Sequence, residues 1–304
     1  MKEQCASHRL HLFCEAITLR DQYSQHPTQS SRFRFFAKKV ARALYDTKSS
    51  TFLTPAIREE ADFLIKVLSD PIAYRWESPI AHLIQQDHDG KTYQDACPLG
   101  AGGFSSDFDY WWIVVWPEFV YLRTKVKPTN QCYIPINLLE YAAIIFGLAG
   151  AIVAWETLPP DSHPPHPMLL LWTDNMSAKA WTKKVAGLKT PQGRSLARIF
   201  AHLLMFSDVG IEAVHIAGEK NIIADFLSRI AKTHGFSSFT YANLQTQFPW
   251  LRLSRCFVPS NELLVLVFTA LLRPSVDIPI TRVNLGRLLV EPSTSKQTFF
   301  GLPR

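Results

Sequence analysis

Short apolar runs and longer apolar segments alternate through the middle of the chain, and their spacing predicts a mixed α/β domain. The runs "MLLLWTD" and "IEAVHI" have the length of buried strands. The aromatic and β-branched segment "YWWIVVWPEFVYLRTKV" is typical of two strands interrupted by Pro117. Upstream, "GKTYQDACPLGAGGF" indicates a strand that breaks into a glycine turn. Three successive strands favour an antiparallel meander.

Apolar residues recur at helical spacing in the segments that separate and follow these strands. The helical segments are "NLLEYAAIIFGLAGAIVAW", "NMSAKAWTKKV", "SLARIFAHLLMFSD" and "NIIADFLSRI". The predicted order is therefore βββ-α-β-α-α-β-α. This order describes a mixed five-stranded sheet with flanking helices, which belongs to the α/β class.

The first of these helices is apolar enough to raise the question of a membrane. Between Leu138 and Trp155 the only charged residue is Glu140, and about 18 apolar residues is the lower limit for a spanning helix. Glu140 shortens the uncharged run, and a proline-rich loop follows directly, so we expect a buried core helix and no membrane partner. A membrane-associated protein anchored by residues 138–155 is the alternative.

Composition places the chain among globular proteins, and its positive charge is compatible with an anionic partner. Of its 304 residues, 47% are hydrophobic and 19% are charged, and the formal net charge is +6. We divide the chain into a basic, mostly helical segment (1–87), the α/β domain (88–232) and a helical or irregular C-terminal extension (233–304). The five scattered cysteines contain no CxxC pair, so the sequence indicates neither a disulfide framework nor a zinc site. We therefore expect an intracellular location, cytoplasmic or nuclear.

Carboxylates occur at element positions that could converge on one cleft. They are Asp95 on the first strand, Glu140 in the first turn of the long helix, Asp174 after the fourth strand and Asp225 on the last helix. Hard divalent cations need several oxygen ligands of this kind. Each acid also has an ordinary interpretation: a loop residue, a charge that complements the helix dipole, an N-cap, and a surface acid, respectively.

The ordered set of motifs resembles a known family. "DACPLGAGG", "NLLEYAA", "WTDNMSA" and "HIAGEKNIIADFLSR" resemble the successive motifs of the ribonuclease H domain of retroelement reverse transcriptases. The last two look most like the polymerases of DIRS-type, tyrosine-recombinase retrotransposons. The resemblance covers residues 93–230, and weaker similarity continues to residue 272.

The resemblance implies a site and an activity. It implies metal ligands for two Mg²⁺ or Mn²⁺ ions at Asp95, Glu140, Asp174 and Asp225. It makes His215 a catalytic residue that shuttles protons or assists product release, whereas the ordinary interpretation is a histidine at a sheet edge. The implied activity is cleavage of the RNA strand of RNA·DNA hybrids. Candidate nucleic-acid contacts are Asn175, Lys179, Lys183, Lys184, Arg194 and Asn221.

One expected feature of a reverse transcriptase is not found in the sequence. The polymerase palm carries an aspartate pair, usually within a "YxDD"-like motif, and residues 1–92 contain none. We therefore interpret residues 1–87 as a remnant of the thumb or connection segment, with the polymerase portion of the same element as a further partner. A catalytically inactive nucleic-acid-binding remnant is the alternative to the enzyme.

Overall fold

The computed structural model describes most of the chain between residues 87 and 289. The described ranges are 87–130, 132–159, 167–183, 190–207, 209–233, 246–249, 254–273 and 282–289, together with residue 62. The chain divides into two compact units, Met1–Gln85 and Gln86–Arg304. All elements discussed below belong to the second unit. The predictions for the basic segment 1–87 and for Lys184 lie outside the described residues.

The described strands form one mixed sheet. They are β1 (Gly90–Ala96), β2 (Gly100–Ser105), β3 (Tyr110–Val115), β4 (Met168–Thr173), β5 (Gly210–His215), β6 (Arg255–Pro259) and β7 (Gly286–Leu289). Their spatial order is β5-β4-β1-β2-β3-β6-β7. β1, β2 and β3 pair antiparallel, as the predicted meander requires, whereas β4 lies parallel to both β1 and β5.

The strand positions within the meander differ from the prediction. The expected glycine turn is part of strand β2, and the segment after Pro117 is helix α1 (Glu118–Lys125) rather than a strand. Glycine is suited to β2 because a helix packs against it: a Cβ at Gly102 would lie 2.4 Å from Cβ of Leu227. Close backbone approach explains the glycines better than a turn does.

Helices cover the sheet, and one of them is almost entirely buried. The remaining helices are α2 (Ile136–Glu156), α3 (Met176–Lys183), α4 (Pro191–Ser207), α5 (Ile222–Thr233) and α6 (Asn261–Leu272). α2 is long and apolar enough to cross a membrane by length and composition, but 83% of its most apolar window is buried inside the protein. The predicted core helix is therefore confirmed. Gly147 lets α2 approach the sheet, since a Cβ there would lie 2.7 Å from Oε1 of Gln94.

The C-terminal extension is more regular than predicted and enlarges the sheet. β6 pairs parallel with β3 and β7 pairs antiparallel with β6, so the expected count of five strands is wrong for the described chain. Cys256 and Phe257 of β6 are 2% and 1% exposed. The hydroxyl of Ser260 accepts a hydrogen bond from the Leu263 N–H at 3.0 Å and caps α6. The extension thus covers what would otherwise be an exposed edge at β3.

Candidate metal centre

Three carboxylates from separate elements meet at one end of the sheet. β1 and β4 are parallel neighbours, with Tyr93 opposite Trp172, so both strands end at the same edge. Asp95 lies near the end of β1, and Asp174 directly follows β4. α2 packs against β1 and contributes Glu140 from its first turns. Oxygen atoms of Asp95, Glu140 and Asp174 all lie within 4.8 Å of one another.

Glu140 is the most buried carboxylate of the group and has an unsatisfied oxygen. Its residue is 4% exposed, and its carboxylate accepts a hydrogen bond from the backbone N–H of Ala96. The second oxygen, Oε2, is buried and has no hydrogen-bond partner. A buried acceptor without a partner is costly. A cation bound in the cluster would provide the interaction that Oε2 of Glu140 lacks.

Burial and mutual repulsion raise the pKa values of all three carboxyl groups. Burial, followed by the charges of Asp174 and Asp225, raises the pKa of Asp95 from 3.8 to about 7. Burial and the charge of Asp95 hold the pKa of Glu140 well above its ordinary value. The pKa of Asp174 is raised by burial and by Asp225. The metal-free carboxyl groups therefore hold their protons more tightly than free carboxyl groups do, and a bound cation would favour their deprotonated forms.

Asp225 lies beside the cluster rather than within it. Its carboxylate contributes repulsion to all three acids, but it does not belong to the group whose oxygens approach within 4.8 Å. Instead, Oδ1 of Asp225 accepts a hydrogen bond from Nε of Arg229 at 2.7 Å. The same oxygen lies 2.5 Å from the Arg229 terminal nitrogen. Of the four predicted ligands, the structure brings three together and pairs the fourth with an arginine.

Ser228 is a site residue that the sequence reasoning missed. Its hydroxyl donates to Oδ2 of Asp95 at 2.5 Å, and this bond lowers the pKa of Asp95 against the larger effect of burial. Ser228 is 1% exposed. It follows Asp225 by three positions on α5, so helical spacing could have indicated that both face the same neighbour. The hydroxyl fixes the orientation of the Asp95 carboxylate.

His215 lies at the exposed rim of the cluster. It ends β5 opposite Thr173 of β4, and its Nε2 lies 3.0 Å from the backbone oxygen of Asp174. A carbonyl only accepts, so Nε2 carries the proton in this contact. In the neutral ring Nδ1 is then the acceptor nitrogen. Gly218 closes the same rim, since a Cβ there would lie 3.1 Å from Oδ2 of Asp174.

Two asparagines predicted to contact nucleic acid have structural partners. Asn175 accepts a hydrogen bond from the Ala178 N–H at 3.0 Å, and its Nδ2 donates to Oδ1 of Asn137 at 3.0 Å. It caps α3 and stays half-buried at the rim. Asn221 is 1% exposed, and its Nδ2 donates to the backbone oxygen of Gln94 at 3.1 Å. The side chain of Asn221 therefore fixes the start of α5 against β1 through its Nδ2, and a contact of Asn221 with nucleic acid stays a prediction.

The predicted basic contacts are only partly described. Lys179 is half-buried on α3, the helix that begins just after Asp174, and Arg194 is half-buried in the first turn of α4. Lys183 ends α3, but the position of its side chain lies outside the described part of the chain. Among the basic residues predicted to contact nucleic acid, Lys179 is thus the closest in sequence to a carboxylate of the cluster, Asp174.

The donor set fits a hard divalent cation. Carboxylate oxygens are typical ligands of hard cations, and Oε2 of Glu140, which has no hydrogen-bond partner, is available to such an ion. A buried acidic cluster of Asp95, Glu140 and Asp174 could therefore hold a metal ion. Neither a protein-family model, nor a curated protein, nor a solved structure matches the chain.

Proposed function

We propose that the chain is a metal-dependent endonuclease that cleaves the RNA strand of RNA·DNA hybrids, as the ribonuclease H domain of a retrotransposon reverse transcriptase. The observation that carries the proposal is the convergence of Asp95, Glu140 and Asp174 from three separate elements. These are three of the four acids at motif positions in the family that the sequence resembles.

Asp95, Glu140 and Asp174 would hold Mg²⁺ or Mn²⁺. When bound, such ions supply activation of a water molecule and stabilisation of the leaving oxyanion in phosphodiester hydrolysis. The mutual repulsion that contributes to the raised pKa values of Asp95 and Glu140 would be relieved by a bound cation, which competes with protons for these carboxyl groups. Ser228 keeps Asp95 in a fixed orientation through the 2.5 Å hydrogen bond.

His215 is suited to proton transfer at the rim. The contact of Nε2 with the Asp174 carbonyl fixes the ring and makes Nδ1 the nitrogen that accepts a proton. The residue is exposed, so it can exchange that proton with solvent. A positioned imidazole contributes typically about 10²–10⁴-fold to rate. His215 therefore acts as a proton shuttle next to the carboxylates and is not itself a metal ligand.

The proposed substrate is recognised by shape and backbone rather than by base sequence. Duplexes that contain RNA expose 2′-hydroxyl groups in a wide, shallow groove. Lys179 and Arg194 are the described cations proposed to contact phosphates, and Asn175 offers its amide at the rim. Contacts of this kind make affinity fall with salt concentration. The polymerase portion of the same element is the proposed protein partner.

The experiment is cleavage of end-labelled RNA·DNA hybrid by the purified chain in Mg²⁺ or Mn²⁺, with single-stranded RNA and duplex DNA as comparison substrates. We expect metal-dependent cleavage of the RNA strand of the hybrid alone. Asp174→Asn should abolish it, whereas Asp87→Asn, which changes an exposed carboxyl group, should leave it intact. Equal cleavage by Asp174→Asn would refute the proposal. Binding of hybrid without any cleavage would favour the inactive remnant.

A further inference from the structure

The ion pair between Asp225 and Arg229 lies next to a cluster that already contains three carboxylates. Arg229 reaches Oδ1 of Asp225 through both Nε, at 2.7 Å, and a terminal nitrogen, at 2.5 Å. Its positive charge also lowers the pKa values of Asp95 and Asp174. One guanidinium therefore balances charge on several carboxylates at once. No metal ion is needed for this part of the balance.

A second divalent cation would need ligands beyond the three that already converge. Asp225 is a described candidate, because its charge acts on each member of the cluster. Its bound oxygen is engaged by Arg229, which carries a positive charge that repels an incoming cation. At the first position, Oε2 of Glu140 lacks a hydrogen-bond partner, so the first ion displaces no donor from that oxygen. The two ions should therefore differ in affinity.

We propose that Arg229 acts as an internal cation that competes with a second metal ion for Asp225, so that the centre binds one divalent ion tightly and a second only when the ion pair opens. The inference rests on the proposed metal centre and deepens it. The pair can open because both side chains are partly exposed, 52% for Arg229 and 38% for Asp225. Exposed ion pairs of this kind shift equilibria by up to about fivefold.

The test is a titration with Mn²⁺ in which the free ion is followed by electron paramagnetic resonance. The variant Arg229→Gln removes the charge, and Arg229→Lys keeps it. Arg282→Gln is the matched control, since Arg282 forms an exposed ion pair with Glu156 at the other end of α2. The measured quantity is the ratio of the second dissociation constant to the first.

We expect this ratio to fall about fivefold in Arg229→Gln, to stay within about twofold of the unmodified protein in Arg229→Lys, and to be unchanged in Arg282→Gln. In an Asp225→Asn background the effect of Arg229→Gln on the ratio should disappear. An unchanged ratio in Arg229→Gln, an equal change in the control, or two equal affinities in the unmodified chain would overturn the inference alone. Failure of the unmodified chain to bind Mn²⁺ would overturn the metal centre as well.

Discussion

Replacing Asp95 by asparagine should change the pH dependence of stability in the metal-free protein. The pKa of Asp95 is raised from 3.8 to about 7 in the folded state, chiefly by burial. The folded protein therefore binds this proton more tightly than the unfolded chain does. By linkage, the free energy of unfolding must decrease as the pH rises from about 4 through about 7. Asparagine carries no such proton and keeps an oxygen that can accept from Ser228.

The magnitude follows from the difference between the two pKa values. At about 1.4 kcal/mol for each pH unit, the rise from 3.8 to about 7 corresponds to about 4 kcal/mol. Solvent screening does not reduce this figure much, because Asp95 is 4% exposed. The unmodified protein should thus lose up to about 4 kcal/mol between pH 4 and pH 8 through this group. The free energy of unfolding of Asp95→Asn should not decrease in this way between pH 4 and pH 8.

The assay is urea denaturation followed by tryptophan fluorescence, at pH 5 and pH 8, in EDTA and in Mg²⁺. In EDTA, Asp95→Asn should gain about 2–4 kcal/mol over the unmodified protein on going from pH 5 to pH 8, and Asp87→Asn should gain nothing. Saturating Mg²⁺, at about 100 times its dissociation constant, should return about 2.7 kcal/mol to the unmodified protein. Equal pH dependence in all three proteins would refute the burial argument.

Three further predictions concern other contacts. His215→Ala should lower turnover by about 100-fold while Mn²⁺ affinity stays within about threefold, which kinetics and metal titration measure separately. Gly102→Ala should destabilise the fold by about 1–3 kcal/mol in urea denaturation, because its Cβ would lie 2.4 Å from Leu227; stability within 0.5 kcal/mol of the parent would count against that packing. Gly218→Ala should weaken Mn²⁺ binding without lowering stability, because its Cβ would lie 3.1 Å from Oδ2 of Asp174. Unchanged Mn²⁺ binding would show that the loop at residue 218 moves to accommodate the methyl group.

The positions of the three clustered acids were predictable because each lies at a defined point of an element. Asp95 and Asp174 end neighbouring parallel strands, and Glu140 is one turn into the helix that packs on β1. Strand β2 was not predictable, because glycine has low strand propensity and the conformation depends on contact with a helix more than 100 residues later. The pairing of β6 with β3 is likewise a long-range contact that no local pattern encodes.

The contacts of Asp225 fall between these two cases. Ser228 and Arg229 follow it by three and four residues, the spacings at which helical side chains meet, so an Asp225–Arg229 pair could have been inferred from sequence. What the spacing could not show is that Ser228 reaches Asp95, 133 residues away. That contact requires α5 to approach β1 and β2 closely, which depends on Gly102 and on the buried amide of Asn221.

The packing of α5 therefore connects the stability of the fold to the chemistry of the site. The same helix carries Ser228, which orients Asp95, and Asp225, whose charge adds to the repulsion among the acids. A shift of α5 away from β2 would lengthen the Ser228 contact and lower the charge density that attracts a cation. We therefore expect the residue at position 102 to affect metal affinity through the packing of α5, although it lacks any ligand atom. Metal affinity and folding stability should accordingly change together when the contact of α5 with β2 is altered. In contrast, Arg229→Gln should change the ratio of the two metal affinities, and His215→Ala should change turnover.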